Sequence, residues 1–352
     1  MENRRRILVV GGTGYLGQHL LQYLSTSSSL DIAFTHHRPI PPQELLDALP
    51  SVKSFQVDVR TGEGFSAVSA SFGQPDVVVN CAAMSVPRAC EMDPDAAMAT
   101  NQPSSLVKWL HDFGNDNSLL IHLSTDQVYE GVKSFYKEED ETIPVNIYGK
   151  SKVAAEKLIS ETFQNYVILR SSIIYGPQTL SPVARSLPIQ WMDNVLSQGK
   201  EVDFFYDEYR CPIYVQDMVH TISSLTNTWI SERKAPKLEI SPSFFSLMMK
   251  RLENFGQNMG GKDHRDRKKM QLVINAGGPD RVSRVEMVKS VALHRGYSFS
   301  LIKSVSASSV NRGVLSPADI SMDITRLVEL LGTKPTSFHD GVKATLETIP
   351  SS

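Results

Sequence analysis

Tyr148 and Lys152 stand four residues apart in NIYGKSKVAAEKLI, a stretch that begins at Asn146 and has helical spacing. Residues i and i+4 share one face of a helix, so this spacing sets a phenol beside an ammonium group. A phenol with its ordinary pKa near ~10 is a poor acid–base group at neutral pH, and a neighbouring cation stabilises the phenolate and lowers that pKa. The pair is equipped to protonate a carbonyl oxygen. Many helices carry the same spacing and do no chemistry, so the rest of the chain must decide.

A second group lies near the amino end. GGTGYLG places Gly11, Gly14 and Gly17 after a short apolar run and before a helical pattern, with Thr13, Tyr15 and Leu16 between them. In that context glycine permits a tight turn, lets backbone approach a pyrophosphate and lets the helix pack on the sheet, while the helix N-terminus favours an anion. The expectation is a dinucleotide site, with an ordinary glycine turn as the competing reading. FTHHRPIPPQ, residues 34–43, lacks the carboxylate that would hold a ribose 2′-hydroxyl; His37 and Arg38 offer charge-assisted hydrogen bonds to a 2′-phosphate instead. NADP(H) is therefore expected over NAD. Asp58, with Val59 beside it, is placed to accept from an adenine amino group, and Cys81, Ala82 and Ala83 are small residues where backbone would pass the cofactor.

Composition narrows the partners. The chain has 352 residues, 36 basic and 38 acidic, for a net charge of -2. No global field favours nucleic acid or an anionic membrane, so small molecules or proteins are expected. Three cysteines, Cys81, Cys90 and Cys211, form no C-x-x-C and no disulfide framework, which fits a reducing compartment. The apolar run at residues 7–10 is too short for a signal peptide or a membrane span, and the expected location is cytoplasmic. No phosphate loop, H-E-x-x-H or G-x-S-x-G is present, and His111 and His122 have no metal-ligand partner at useful spacing, so no metal site is expected.

The elements that must position these groups alternate. Short apolar runs begin at residues 7, 31, 54, 76, 119 and 166, with helical patterns between them, as in a Rossmann-type doubly wound parallel sheet of the α/β class. The expected division is an NADP-binding domain over residues 1–175, completed by strands near 211–220 and 271–276, and a smaller carboxyl-terminal substrate lobe over 176–352. Within the lobe, residues 249–270 carry seven basic and three acidic residues around a glycine-rich polar centre, which reads as a mobile surface insertion.

GGTGYLG, NCAA, STDQVY, YGKSK and RSSIIYGP occur in the order typical of extended short-chain dehydrogenase/reductases, and together they span nearly the whole chain. HLSTDQVYEG, NIYGKSKVAAEKLI and RGVLSPADISMD most resemble the dTDP-4-dehydrorhamnose reductase family, which includes the regulatory β subunits of methionine adenosyltransferase. The resemblance implies that Tyr148 protonates a keto oxygen as hydride arrives from nicotinamide, that Lys152 also holds the nicotinamide ribose, and that Thr125 hydrogen-bonds to the substrate oxygen. It implies a nucleotide-linked sugar as substrate, with Ser124 and Arg210 facing it. It equally implies an alternative, a non-catalytic NADP-binding subunit whose partner is the methionine adenosyltransferase catalytic subunit, serving S-adenosylmethionine biosynthesis.

Overall fold

The computed structural model describes residues 4–113, 118–184, 186–234 and 269–348. Its amino-terminal half alternates strand and helix: β1 (Arg5–Val10), α1 (Tyr15–Leu24), β2 (Leu30–His36), α2 (Gln43–Ala48), β3 (Lys53–Gln56), α3 (Phe65–Ser71) and β4 (Val77–Asn80). Then follow α4 (Pro87–Met92), α5 (Pro94–Asn101), α6 (Ser104–His111), β5 (Leu119–Thr125), α7 (Ile147–Thr162) and β6 (Tyr166–Ser171). With the strand Gln271–Ala276, these six strands form one seven-stranded sheet, in the order Gln271–Ala276, β6, β5, β4, β1, β2, β3. Every pairing in it is parallel. This is the Rossmann-type doubly wound α/β fold.

Strands buried on both faces read as continuous apolar runs, and β1 and β4 are of that kind. One face of the sheet packs on α1 and on the helix Val215–Lys234 through Leu20, Leu21, Ile222 and Leu225. The other packs on α6 and α7 through Leu106, Leu110, Ile159 and Phe163. Trp109 belongs to this second layer, stacked on Phe65 at 4.7 Å between ring centroids. The strand order reverses at β1, whose neighbours are β2 and β4, and the crevice at the carboxyl ends of such strands is where open α/β sheets bind ligands.

Residues 211–220 differ from expectation. Ile213–Tyr214 pairs in parallel with Ile174–Tyr175 in a separate two-stranded sheet, and the chain then turns directly into the helix Val215–Lys234. Val215, Met218, Val219, Ile222 and Leu225 are all fully buried, and their spacing of three and four is a helical stripe rather than a strand alternation. The helices Pro188–Ser197, Arg284–Arg295 and Phe338–Glu347 share a separate apolar cluster built on Ile189, Met192, Val288, Val291 and Val342. Of the expected insertion at 249–270, residues 249–268 lie outside the described residues.

Candidate active site

The glycine turn is built by contact rather than by composition. Gly11 has φ 78°, in the left-handed region, and a Cβ there would sit 2.8 Å from the Ala82 backbone. A Cβ on Gly17 would lie 2.6 Å from the Gly11 carbonyl oxygen, so α1 can approach the turn only without a side chain at that position. The turn is tied to β2, since the Gly11 amide donates to Thr35 Oγ1 at 3.1 Å and the Gly12 amide to the Thr35 carbonyl at 3.0 Å. Gly14 is the N-cap of α1 and brings no side chain to its first-turn N–H groups, which suits an anionic ligand. Thr13 and Tyr15 lie partly exposed beside it and Leu16 is buried. The Tyr15 hydroxyl donates to the Pro177 carbonyl at 3.0 Å, joining the turn to the segment that follows Ile174–Tyr175.

On the far side of β1, His37 and Arg38 are exposed after β2. His36 is buried and its Nδ1 lies 2.7 Å from the Arg38 carbonyl oxygen, which fixes the path of the loop carrying both residues. Asp58 is gripped by Arg60 through its guanidinium and its backbone amide, and these hydrogen bonds bring the Asp58 carboxyl down to about 2. The Val59 carbonyl accepts from Ser105 Oγ. Cys81, Ala82 and Ala83 follow β4, where the Cys81 amide donates to the Val10 carbonyl at 2.9 Å and the Ala82 amide to Asn80 Oδ1 at 3.2 Å. Asn80 Nδ2 then donates to His122 Nδ1 at 3.1 Å. Burial holds His122 well below the usual imidazole range, so it is neutral.

Thr125 ends β5 and caps the single turn Asp126–Val128, accepting from the Gln127 amide and donating to Asp126 Oδ1, both at 3.2 Å. The buried Asp126 carboxylate also accepts from Ser172 Oγ at 2.8 Å, and burial raises its pKa. The first turn of α7 is seated on this same segment. Its N-cap, Asn146, accepts from the Gly149 amide through Oδ1 and donates through Nδ2 to Gln127 Oε1 at 2.8 Å and to the Leu315 carbonyl at 3.0 Å. A Cβ on Gly149 would fall 2.2 Å from the Gln127 carbonyl oxygen, so only glycine lets the helix come this close.

Tyr148 is thereby placed on the turn of α7 that abuts the Thr125 segment, packed with Met84, Cys90 and Ala97. One helical turn on, Lys152 is buried and donates from Nζ to the Leu123 carbonyl of β5 at 2.7 Å. Burial brings its ammonium down to about 8, which still leaves it charged at neutral pH. Asn101, which sequence reasoning did not single out, ties α7 to the loop after β4: Nδ2 donates to Ser151 Oγ at 2.8 Å and Oδ1 accepts from the Met84 amide at 2.7 Å. Asp126 and Glu156 were missed too, although Glu156 carries a legible signal, its place four residues after Lys152.

Two residues expected at the substrate have defined partners. Ser124 Oγ donates to Glu156 Oε1 at 2.5 Å, and Glu156 accepts in turn from Arg170 Nε and Nη2. Arg210 is buried and donates to the carbonyls of Tyr209, Pro317 and Ala318 and to Ser316 Oγ, holding the 316–318 loop. Beside it, the buried Glu208 is paired with Arg312 at 2.5 Å and Arg284 at 3.7 Å, and burial together with Arg210 brings Arg284 down to about 10. Among the described residues no group of three or more His, Cys, Asp or Glu side chains could hold a metal ion. No helix among them is long and apolar enough to cross a membrane.

The chain resembles known proteins along its length. It is 25% identical over 344 residues to the methionine adenosyltransferase 2 subunit beta of Mus musculus, covering 97% of this chain and 87% of that protein. A probable low-salt glycan biosynthesis reductase of Haloferax volcanii is 31% identical over 175 residues, 48% of this chain and 57% of the relative. Among solved structures, dTDP-4-dehydrorhamnose reductase from Bacillus anthracis in complex with NADP superposes with a TM-score of 0.69 at 18% identity, covering 98% of this chain and 99% of that one. UDP-glucuronic acid 4-epimerase from Bacillus cereus, in complex with UDP-glucuronic acid and NAD, gives a TM-score of 0.70 at 20% identity with 98% of both chains covered. Residues 5–239 match the model of the RmlD substrate binding domain, and the chain belongs to that family.

Proposed function

We propose that the protein is an NADP(H)-dependent reductase acting on a keto group of a nucleotide-linked sugar. The observation that carries this reading is the seating of α7 on the Thr125 segment, which brings the Tyr148 turn and the Lys152 ammonium to the end of β5. The turn at Gly11 and Gly17, open to no side chain, and the exposed Arg38 beyond β2 suit a phosphorylated dinucleotide. Bound NADPH would supply the hydride.

The side chains of this protein would do the rest. Tyr148 delivers its proton to the keto oxygen, and the charged Lys152 stabilises the phenolate left behind. Thr125 has its hydroxyl proton on Asp126 Oδ1, so it must rotate to donate to a substrate oxygen, after which the Gln127 amide still holds its oxygen in place. The buried Asp126 lies one hydrogen bond from that movement. Arg210 and Arg284 both act electrostatically on Asp126, and this positive charge beside the Thr125 segment suits the phosphates of a nucleotide-linked sugar.

A second reading rests on the match to methionine adenosyltransferase 2 subunit beta over 97% of this chain. Under it the protein binds NADP and docks on the methionine adenosyltransferase catalytic subunit without turning over. Both readings belong in the cytoplasm, where Cys81, Cys90 and Cys211 stay free. One experiment separates them: the purified chain is assayed for NADPH oxidation with dTDP-4-keto-sugars and, separately, for complex formation with methionine adenosyltransferase. NADPH oxidation is expected. A stable complex that changes synthetase kinetics, with no oxidation of NADPH, would overturn the reductase reading.

A further inference from the structure

Tyr148, Lys152 and Glu156 succeed one another at intervals of four on the buried face of α7. A carboxylate placed one turn behind a buried ammonium is costly to bury unless it is itself held by donors. Glu156 is held from two strands at once. Ser124 of β5 donates to Oε1, and Arg170 of β6 donates to both carboxylate oxygens. Ser124 and Arg170 are register partners in the sheet, so the clamp on Glu156 is set by the β5–β6 pairing itself. The residue before Ser124 supplies the carbonyl that accepts from Lys152 Nζ. Consecutive residues of β5 therefore hold both Lys152 and Glu156.

We propose that Glu156 is a positioning residue that keeps Lys152 charged at the end of β5, and that Ser124 and Arg170 serve to hold it there. This deepens the reductase reading and rests on it for its catalytic meaning. The titratable groups around Lys152 are Tyr148, one turn before it, and Glu156, one turn after it on the same helix, with Cys81 after β4, Cys90 on α4 and His122 on β5. Burial keeps the two thiols protonated, pushing Cys81 up to about 12 and raising Cys90, and His122 is neutral. Glu156 is the carboxylate in this set, and it opposes the desolvation that lowers Lys152.

The test is a titration of Lys152 in the full chain, followed by NMR of 13Cε-labelled lysine and assigned by the signal lost in Lys152→Met. Glu156→Gln is expected to lower the Lys152 midpoint by about 1 pH unit, a roughly tenfold loss of the charged form above that midpoint. If the single change does not fold, Glu156→Gln with Arg170→Met removes both buried charges, a replacement that such pairs tolerate. The midpoint should fall there as well, because Glu156 is the carboxylate that raises it. Were Glu156 merely structural, loosening would admit water and raise the midpoint toward that of a free lysine. A midpoint that rises or does not move overturns the proposal. The titration needs neither cofactor nor substrate, so a lowered midpoint in a chain that never oxidises NADPH upholds the role of Glu156 while overturning the reductase reading. If NADPH oxidation occurs, its alkaline limb should shift to lower pH in Glu156→Gln by the same amount.

Discussion

The carboxyl ends of β5 and β2 are built on opposite plans. At β5, Thr125, Asp126, Lys152 and Glu156 are buried, and each has at least one hydrogen bond fixed by a strand register or a helix cap. Beyond β2 and β3, His37, Arg38 and Arg60 are exposed, and the Asp58–Arg60 pair is a contact between residues two apart in one loop. Buried polar groups demand complete partnering because an unpaired one costs the full desolvation penalty, whereas exposed charges are screened and adjust at little cost. One end is thus suited to a fixed geometry for proton transfer and the other to gripping a charged group that arrives with its own shape.

If that contrast is right, changes at β5 should be severe and changes at β2 graded. Tyr148→Phe should reduce turnover by about 10²–10⁴-fold, the range for a lost general acid, while nucleotide fluorescence shows NADPH still bound. Gly149→Ala should lower stability by about 2 kcal/mol, because the added methyl meets the Gln127 carbonyl; calorimetry would then record a fall of roughly 3 °C in Tm.

Lys152→Met tests the charge by its pH dependence. The folded Lys152 titrates near 8 and the unfolded side chain near ~10.4, so the unfolded chain binds more protons in between and wild-type stability rises with pH across that window. The variant's stability relative to wild type should accordingly be greatest below pH 8 and decline as pH rises toward ~10.4. Arg38→Ala at the open end should weaken NADPH about tenfold and NADH hardly at all, as read by titration of each nucleotide. Arg60→Ala should leave Tm in place and let Asp58 titrate nearer its ordinary range in a carboxyl NMR experiment. A large stability loss in this last variant would erase the distinction between the two ends.

Much of the fold was legible because the signals are local. The β-branched run at residues 7–10 with glycines behind it, and the alternation of apolar runs with helical patterns, lead to the parallel sheet without knowledge of any long-range contact. The Tyr148–Lys152 pair was legible for the same reason, since four residues on a helix define a neighbourhood. The clamp on Glu156 was not, because it depends on Ser124 facing Arg170 across a strand pairing that the sequence does not print. Arg284, Arg312 and Glu208 also come together only through long-range folding, since the two arginines lie 76 and 104 residues beyond Glu208 in the chain. Residues 213–225 misled for another reason: IYV at 213–215 is β-branched and aromatic, but the helical stripe that starts at Val215 outweighs it.

The Asn146 cap has a consequence for the order in which the molecule is made. Its side chain reaches Leu315, 169 residues downstream, and Tyr129 reaches Asn275, 146 residues downstream. A chain growing from the ribosome can lay down β1 to β5 from nearby contacts, but it cannot finish the entrance to α7 until the last part of the polypeptide has emerged. The nucleotide-binding turn therefore matures early in synthesis and the Tyr148 end late, so a nascent chain arrested between the two would hold a dinucleotide turn without a completed proton donor.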